Sequence, residues 1–168
     1  MTIQCDTREH KQELERIQHQ FDSLGVSYFK LKLSVGDYMD INNPYLVIDR
    51  KKDLQELCGN VTQQHKRFQK ELIRAKEQGI KLIILCEHGA DIKELIDVYF
   101  WHNPRLDEYE WIISEGKPRK VQKYPKAITG EKLYKSLCTI RDKYGVDIQF
   151  CEKKNTGYMI AKILGGID

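Results

Sequence analysis

The stretch GDYMDINNPYLVIDRK, Gly36 to Lys51, holds two runs of strand-forming residues around the turn-forming trio Asn42-Asn43-Pro44. It predicts a β-hairpin with strands over Val35–Ile41 and Tyr45–Arg50. If the hairpin is symmetric about Asn43, Asp37 lies directly across from Asp49, with Cβ atoms about 5 Å apart. Two carboxylates so placed repel each other unless a cation sits between them. Hard divalent ions such as Mg2+ take oxygen ligands of this kind and complete their shell with phosphate and water. Strand alternation puts Asp49 and Lys51 on one face, where a lysine suits holding an attacking water or charge developing at phosphorus. The pattern thus predicts a metal site for phosphodiester hydrolysis. The plainer alternative makes Asp37 a turn residue after Gly36 and leaves Asp49 and Lys51 solvated at a strand end. Against it, Tyr45–Ile48 are all apolar, and three charges converging at the end of such a strand need partners.

Outward from the hairpin, Leu14, Ile17, Phe21 and Leu24 recur at helical spacing within Glu9–Leu24 and predict an amphipathic helix closed by Gly25. Val26–Leu33 alternates, with Phe29, Leu31 and Leu33 on one face and Tyr28, Lys30 and Lys32 on the other, which predicts a half-buried strand. Downstream, His65, Phe68, Leu72 and Ala75 mark a second helix ending before Gly79. IKLIILC, Ile80–Cys86, reads as a buried strand parallel to a neighbour. Helical spacing returns at Leu133, Leu137, Ile140 and Tyr144, closed by Gly145, followed by a strand over Val146–Cys151 and a last helix through Ile160 and Leu164.

The stretch between, roughly 88–128, reads as an insertion. Asp91–Tyr99 looks helical. Lys117, Arg119, Lys120, Lys123 and Lys126 form a basic segment with no acid, and its two prolines predict irregular structure. Two readings of it stand. It grips DNA through phosphate neutralisation, with Tyr124 stacking on an unpaired base, or it is a solvated loop. Trp101 and Trp111 read as packing residues. His88 reads as a turn residue and His65 as part of a helix, so neither is assigned a catalytic role.

With 168 residues and 40% hydrophobic content the chain suits one domain, residues 1–168, and is short for two. The 28 Lys plus Arg against 25 Asp plus Glu leave +3, which excludes disordered, collagen-like and acidic-tail classes. The longest apolar run, Ile80–Cys86, is interrupted by Lys81 and falls far short of the roughly 20 residues of a membrane span. MTIQCDTREH meets charges before any apolar core of a signal peptide, so a cytoplasmic location is the expectation. The five cysteines show no CxxC pair and no zinc spacing, which predicts reduced, mostly buried thiols.

Five separated elements occur in order: Asp6-Thr7-Arg8-Glu9, Gly36-Asp37, Asp49-Arg50-Lys51, Asp53-Leu54 and Arg67-Phe68. In that combination the sequence resembles the XPF-type nuclease domain, a branch of the restriction-endonuclease-like superfamily. The resemblance covers about the first half of the chain, through the strand at Leu82–Leu85. It departs from the family pattern in carrying Asp49 where Glu is commoner, and in placing Asp53 one residue after Lys51 instead of three. No helix-hairpin-helix tail of the kind that often accompanies this domain is found.

The resemblance implies an α/β fold, a central mixed sheet flanked by helices. It implies that Asp37 and Asp49 bind Mg2+ or Mn2+ with help from the Arg50 carbonyl, that Lys51 orients the water, and that Asp6 supports the site from the start of the first helix. Arg8, Arg50 and Arg67 become DNA contacts, beside Lys117, Arg119, Lys120, Lys123 and Tyr124; Arg8 and Arg67 are alternatively partners of active-site acids or ordinary surface ion pairs. The implied activity is a metal-dependent endonuclease acting on branched DNA (flaps, forks or junctions), in a stand-alone form of the kind carried by phages and compatible with a homodimer. The alternatives are a DNA- or partner-binding module on the same fold that has lost catalysis, which the intact Asp37, Asp49 and Lys51 argue against, and a sequence-specific restriction enzyme.

Overall fold

The run Leu82–Cys86 is apolar at every position because helices cover its sheet on both faces. The computed structural model describes residues 1–165. In chain order the elements are β1 (Thr2–Cys5), α1 (Lys11–Ser23), β2 (Ser27–Lys30), β3 (Tyr38–Asp40), β4 (Leu46–Lys51), α2 (Leu54–Val61) and α3 (His65–Glu77). There follow β5 (Lys81–Glu87), α4 (Asp97–Phe100), β6 (Tyr109–Ser114), β7 (Lys117–Gln122), α5 (Gly130–Tyr144), β8 (Asp147–Cys151) and α6 (Thr156–Ile163). Six strands form one sheet in the order β2-β1-β3-β4-β5-β8, and β6 and β7 form a second sheet of two. β4, β5 and β8 run parallel, and β3 is antiparallel to both β4 and β1. This is the mixed α/β sheet flanked by helices that was expected. Leu82, Ile84 and Cys86 pack with α2, α3 and α5, while Ile83 and Leu85 pack with α1 and α6. Among the described residues no helix is long and apolar enough to cross a membrane.

Several expectations are corrected. β1 was not anticipated, because TIQC is short and runs into charges; its pairing with β2 and β3 makes it a strand. Within Val26–Leu33 the expected face is buried only at Leu33, 7% exposed and beyond the end of β2. Phe29 and Leu31 are 38% and 56% exposed, whereas Val26 and Tyr28 turn toward α1, because β2 is the sheet's edge. α2 was also missed. Asp53 caps it, its carboxylate accepting from Glu56 N at 2.8 Å, while Glu56 accepts from Lys52 N at 2.9 Å. This is the place of the aspartate whose spacing departs from the family pattern. Only the end of Asp91–Tyr99 is helical, and His65 is exposed where α3 begins.

The basic segment is ordered, contrary to expectation. Lys117–Gln122 pairs with β6 across a two-residue turn in which Glu115 and Gly116 both have positive φ, 53° and 74°, as a type I′ turn requires. Ser114 and Lys117 close the turn, so the next pair, Ile113 and Pro118, falls at a position without ladder hydrogen bonds. The proline's missing N–H therefore costs the hairpin nothing.

Candidate active site

The hairpin register is the one the sequence implied. Tyr38 pairs with Ile48 and Met39 with Val47; the ladder ends there, and Asp37, just ahead of β3, lies close enough to Asp49 to feel its charge. Gly36 lets this happen. Its φ is +65°, and a Cβ there would lie 2.6 Å from Val47 Cγ1 and 2.9 Å from the Ile48 carbonyl oxygen, so only glycine fits. The backbone can then approach β4, and Asp37 N donates to Ile48 O at 2.8 Å.

Alternation along β4 sends Val47, Asp49 and Lys51 toward α3, and Ile48 and Arg50 toward α1. Asp37 Oδ2 accepts from Arg50 N at 2.8 Å. Asp49 Oδ1 accepts from Lys51 Nζ at 2.8 Å; Asp49 Oδ2 is equally close to that ammonium but poorly aligned, shut off from solvent without a hydrogen bond. The ammonium also lies 5.3 Å over the Phe68 ring. Burial disfavours its charge, yet Asp49 and then Asp37 outweigh burial and raise the lysine's pKa. Burial, then Asp49 and Glu9, pushes the Asp37 carboxyl well above the usual carboxylate range.

Asp6 follows β1, ahead of α1 and not at its start. Its N–H donates to Asp37 O at 2.8 Å, and its fully buried carboxylate accepts from Leu33 N at 3.2 Å and pairs with Arg8. Arg8 Nη2 donates to Leu33 O at 3.1 Å, so this arginine helps tie down the loop that carries Asp37. Arg50, expected as a DNA contact, is held between two acids. Its guanidinium, on the far face from Asp49, grips Glu9 at 2.6 and 3.0 Å and lies 3.3 Å from Glu87, with 6% of the side chain exposed. Two carboxylates engage the guanidinium while the residue still lines the cavity between the acids and α3; its carbonyl is unaffected by this.

The acids form one wall of a cavity of about 640 Å3. Arg67, exposed as expected of a contact residue, lines the opposite wall with Lys66, Lys70 and Arg74, which the sequence reading missed. The signal was available, since 66, 70 and 74 recur at i, i+4, i+8 beside the core stripe Phe68, Leu72 and Ala75. Glu9 and Glu87 were also missed. Each is a buried acid whose meaning lies in its partner, Arg50. Lys117, Arg119 and Lys120 stand apart on exposed β7 and do not line the cavity; Lys123 pairs with Glu108 at 3.3 Å, and Tyr124 lies beneath the Arg105 guanidinium at 4.7 Å.

The donor set suits a hard cation sparingly liganded by protein. Asp49 Oδ2 is a buried oxygen lacking a hydrogen bond, and Asp37 lies near enough for the Asp49 charge to raise its pKa. Among the described residues no three His, Cys, Asp or Glu side chains gather to cage a metal. Two carboxylates fit an ion such as Mg2+, which keeps water and phosphate in its shell.

The ERCC4 domain profile matches residues 5–163, carrying the resemblance from the first half of the chain through the second. Two solved structures are similar. One is XPF from Aeropyrum pernix, 16% identical with a TM-score of 0.60, covering 98% of this chain and 63% of that one. The other is XPF from Aeropyrum pernix in complex with DNA, 16% identical with a TM-score of 0.62, covering 97% of this chain and 62% of that one. The chain therefore spans a little under two thirds of the length of either. No curated protein matches the sequence. At that identity the solved structures speak for the fold, and the domain match speaks for the family: the chain belongs to the ERCC4 domain family and has the fold of an XPF-type nuclease domain.

Proposed function

We propose that this chain is a Mg2+- or Mn2+-dependent endonuclease that hydrolyses phosphodiester bonds in branched DNA, acting as one unit over residues 1–168. The observation that carries the reading is the cavity itself, with Asp37, Asp49 and Lys51 on one side and Lys66, Arg67, Lys70 and Arg74 on the other. A DNA strand laid between them meets cations for its phosphates and carboxylates for a metal. Asp37, Asp49 and the Arg50 carbonyl would hold the ion, which when bound polarises a phosphate oxygen and acidifies a water. Lys51 steadies the attacking water and the charge that develops at phosphorus. Asp6, Arg8 and Gly36 fix the backbone that presents Asp37. Lys117, Arg119, Lys120, Lys123 and Tyr124 add affinity without touching the chemistry. The branched substrate rests on the family resemblance, and DNA as ligand is supported by the Aeropyrum pernix XPF solved with DNA.

The test is cleavage of labelled flap, fork, junction and linear duplex substrates in Mg2+, Mn2+ or EDTA. Cutting near the branch with either ion, none in EDTA, and none by Lys51→Ala is the expected result. Binding without cleavage under every condition would replace the reading by a non-catalytic DNA-binding module. Cleavage at one short motif in linear duplex would select a restriction enzyme.

A further inference from the structure

The β6–β7 hairpin has no part in the proposed chemistry and is built unlike the rest of the molecule. Both strands are exposed along nearly their whole length, and large apolar side chains stand on the open face of β6: Tyr109 is 53% exposed, Trp111 71% and Ile113 75%. These three share a face by alternation. Trp111 faces Lys120 across the ladder, and the Lys120 ammonium lies 4.9 Å over the Tyr109 ring. A water-exposed aromatic row costs solubility unless something covers it.

The charge on the hairpin selects the occupant. From Tyr109 to Lys126 five cations stand against Glu110 and Glu115, and on the face that carries the rings β7 adds Lys120 and no acid, so a second copy of this face would bring Lys120 toward Lys120, whereas a polyanion is attracted. Aromatic faces interleaved with lysine are the chemistry of single-stranded nucleic acid, whose bases stack while its phosphates are neutralised. Paired bases offer no free face to stack on. The hairpin's base also adjoins the cleft: Tyr124 lies beneath Arg105, and Arg105 lines a recess of about 740 Å3 with Lys51 and Arg67. The I′ turn and the cross-strand pairs hold the rings in place before any ligand arrives.

We infer that β6–β7 is a stacking platform for unpaired bases, Trp111 and Tyr109 receiving a single-stranded DNA segment that continues from the cleft. The inference rests on the nuclease reading only in taking DNA as the polyanion.

The experiment is anisotropy of a labelled oligothymidylate and of a blunt duplex in EDTA, with wild type, Trp111→Ala and Trp111→Phe. Intrinsic fluorescence and sedimentation are followed in parallel. Single-strand affinity should fall about tenfold or more in Trp111→Ala, stay near wild type in Trp111→Phe, and duplex affinity should scarcely move. Wild-type tryptophan emission should be quenched by the oligothymidylate, and Trp111→Phe should lose that response, leaving only the half-buried Trp101. Equal losses on both DNAs, no loss on either, or a wild-type dimer that Trp111→Ala dissociates would overturn the platform, the last by making a second copy its occupant. Wild type that cuts branched DNA without Trp111-dependent single-strand binding sinks this inference and leaves the nuclease reading standing. Trp111-dependent binding by a chain that cuts nothing does the reverse.

Discussion

Lys51 stands where two carboxylates would otherwise face each other alone, so in the metal-free protein it already provides the compensating charge. A divalent ion must compete with it for Asp49. Lys51→Met should accordingly lower the metal-free melting temperature, by about 3 kcal/mol in stability, yet show a larger Mn2+-induced rise than wild type. Asp49→Asn should also melt lower in EDTA, since it strands a buried ammonium, and should respond little to Mn2+. Thermal melts of the three proteins with EDTA and with Mn2+ check both; a wild-type response in Asp49→Asn would remove Asp49 from the metal site. The raised Asp37 pKa sets a pH dependence. The native state holds this proton more tightly than the unfolded chain. The resulting stabilisation is full below the unfolded value of about 3.9 and is lost as pH rises through the higher native one. Metal needs the ionised carboxylate, so the Mn2+ shift should grow as pH rises through the native titration of Asp37, above the usual carboxylate range, and then level off. A shift that stays constant over that range would show that Asp37 is not a ligand.

At the scale of elements, Gly36 joins β3 and β4 closely enough for the acids to meet. Gly36 and Gly79 share nearly the same φ, +65° and +66°, but a Cβ meets β4 at the first and nothing within 4 Å at the second. Gly79→Ala should therefore cost only the left-handed backbone, about 1–2 kcal/mol. Gly36→Ala should cost about 2–4 kcal/mol by adding a clash and should abolish cleavage by displacing Asp37. Urea unfolding of the two variants measures the difference; equal losses would show that β4 yields to the methyl group. The β3–β4 register was legible because Asn42-Asn43-Pro44 marks the turn and the pairing follows by counting. The exposure of Phe29 in β2 and of Leu31 just after it was not legible, since the packing of Val26 and Tyr28 with α1 is a contact between separate elements.

Across the described residues, most buried charge is paired, while Asp40 instead accepts from the Thr2 and Asn42 N–H groups. Arg16 bridges Glu13 and Glu87, Glu87 faces Arg50, and Arg50 grips Glu9, so one chain of ion pairs links α1, β5 and β4 behind the active site. The thiols show the opposite treatment. Burial pushes Cys5 and Cys58 up to about 12 and Cys151 to about 11, and raises Cys86 as well, while Cys138 is the one cysteine left partly exposed. A thiol reacts as its thiolate. Brief iodoacetamide treatment of the native protein should modify Cys138 alone, with the other four following only on unfolding; rapid native labelling of two or more sites by mass spectrometry would contradict this packing. Spacing between near neighbours already carries the amphipathic helices, the doubly covered β5, the hairpin register and the Asp37, Asp49 and Lys51 triple, because local chemistry dictates each of them. Whatever depends on residues far apart in the chain came with packing. It made β1 a strand by pairing it with β2 and β3, turned Arg50 inward to Glu9 and Glu87, and set the cations of α3 across the cavity from the acids, because partners chosen by folding leave no periodicity in the segments they join.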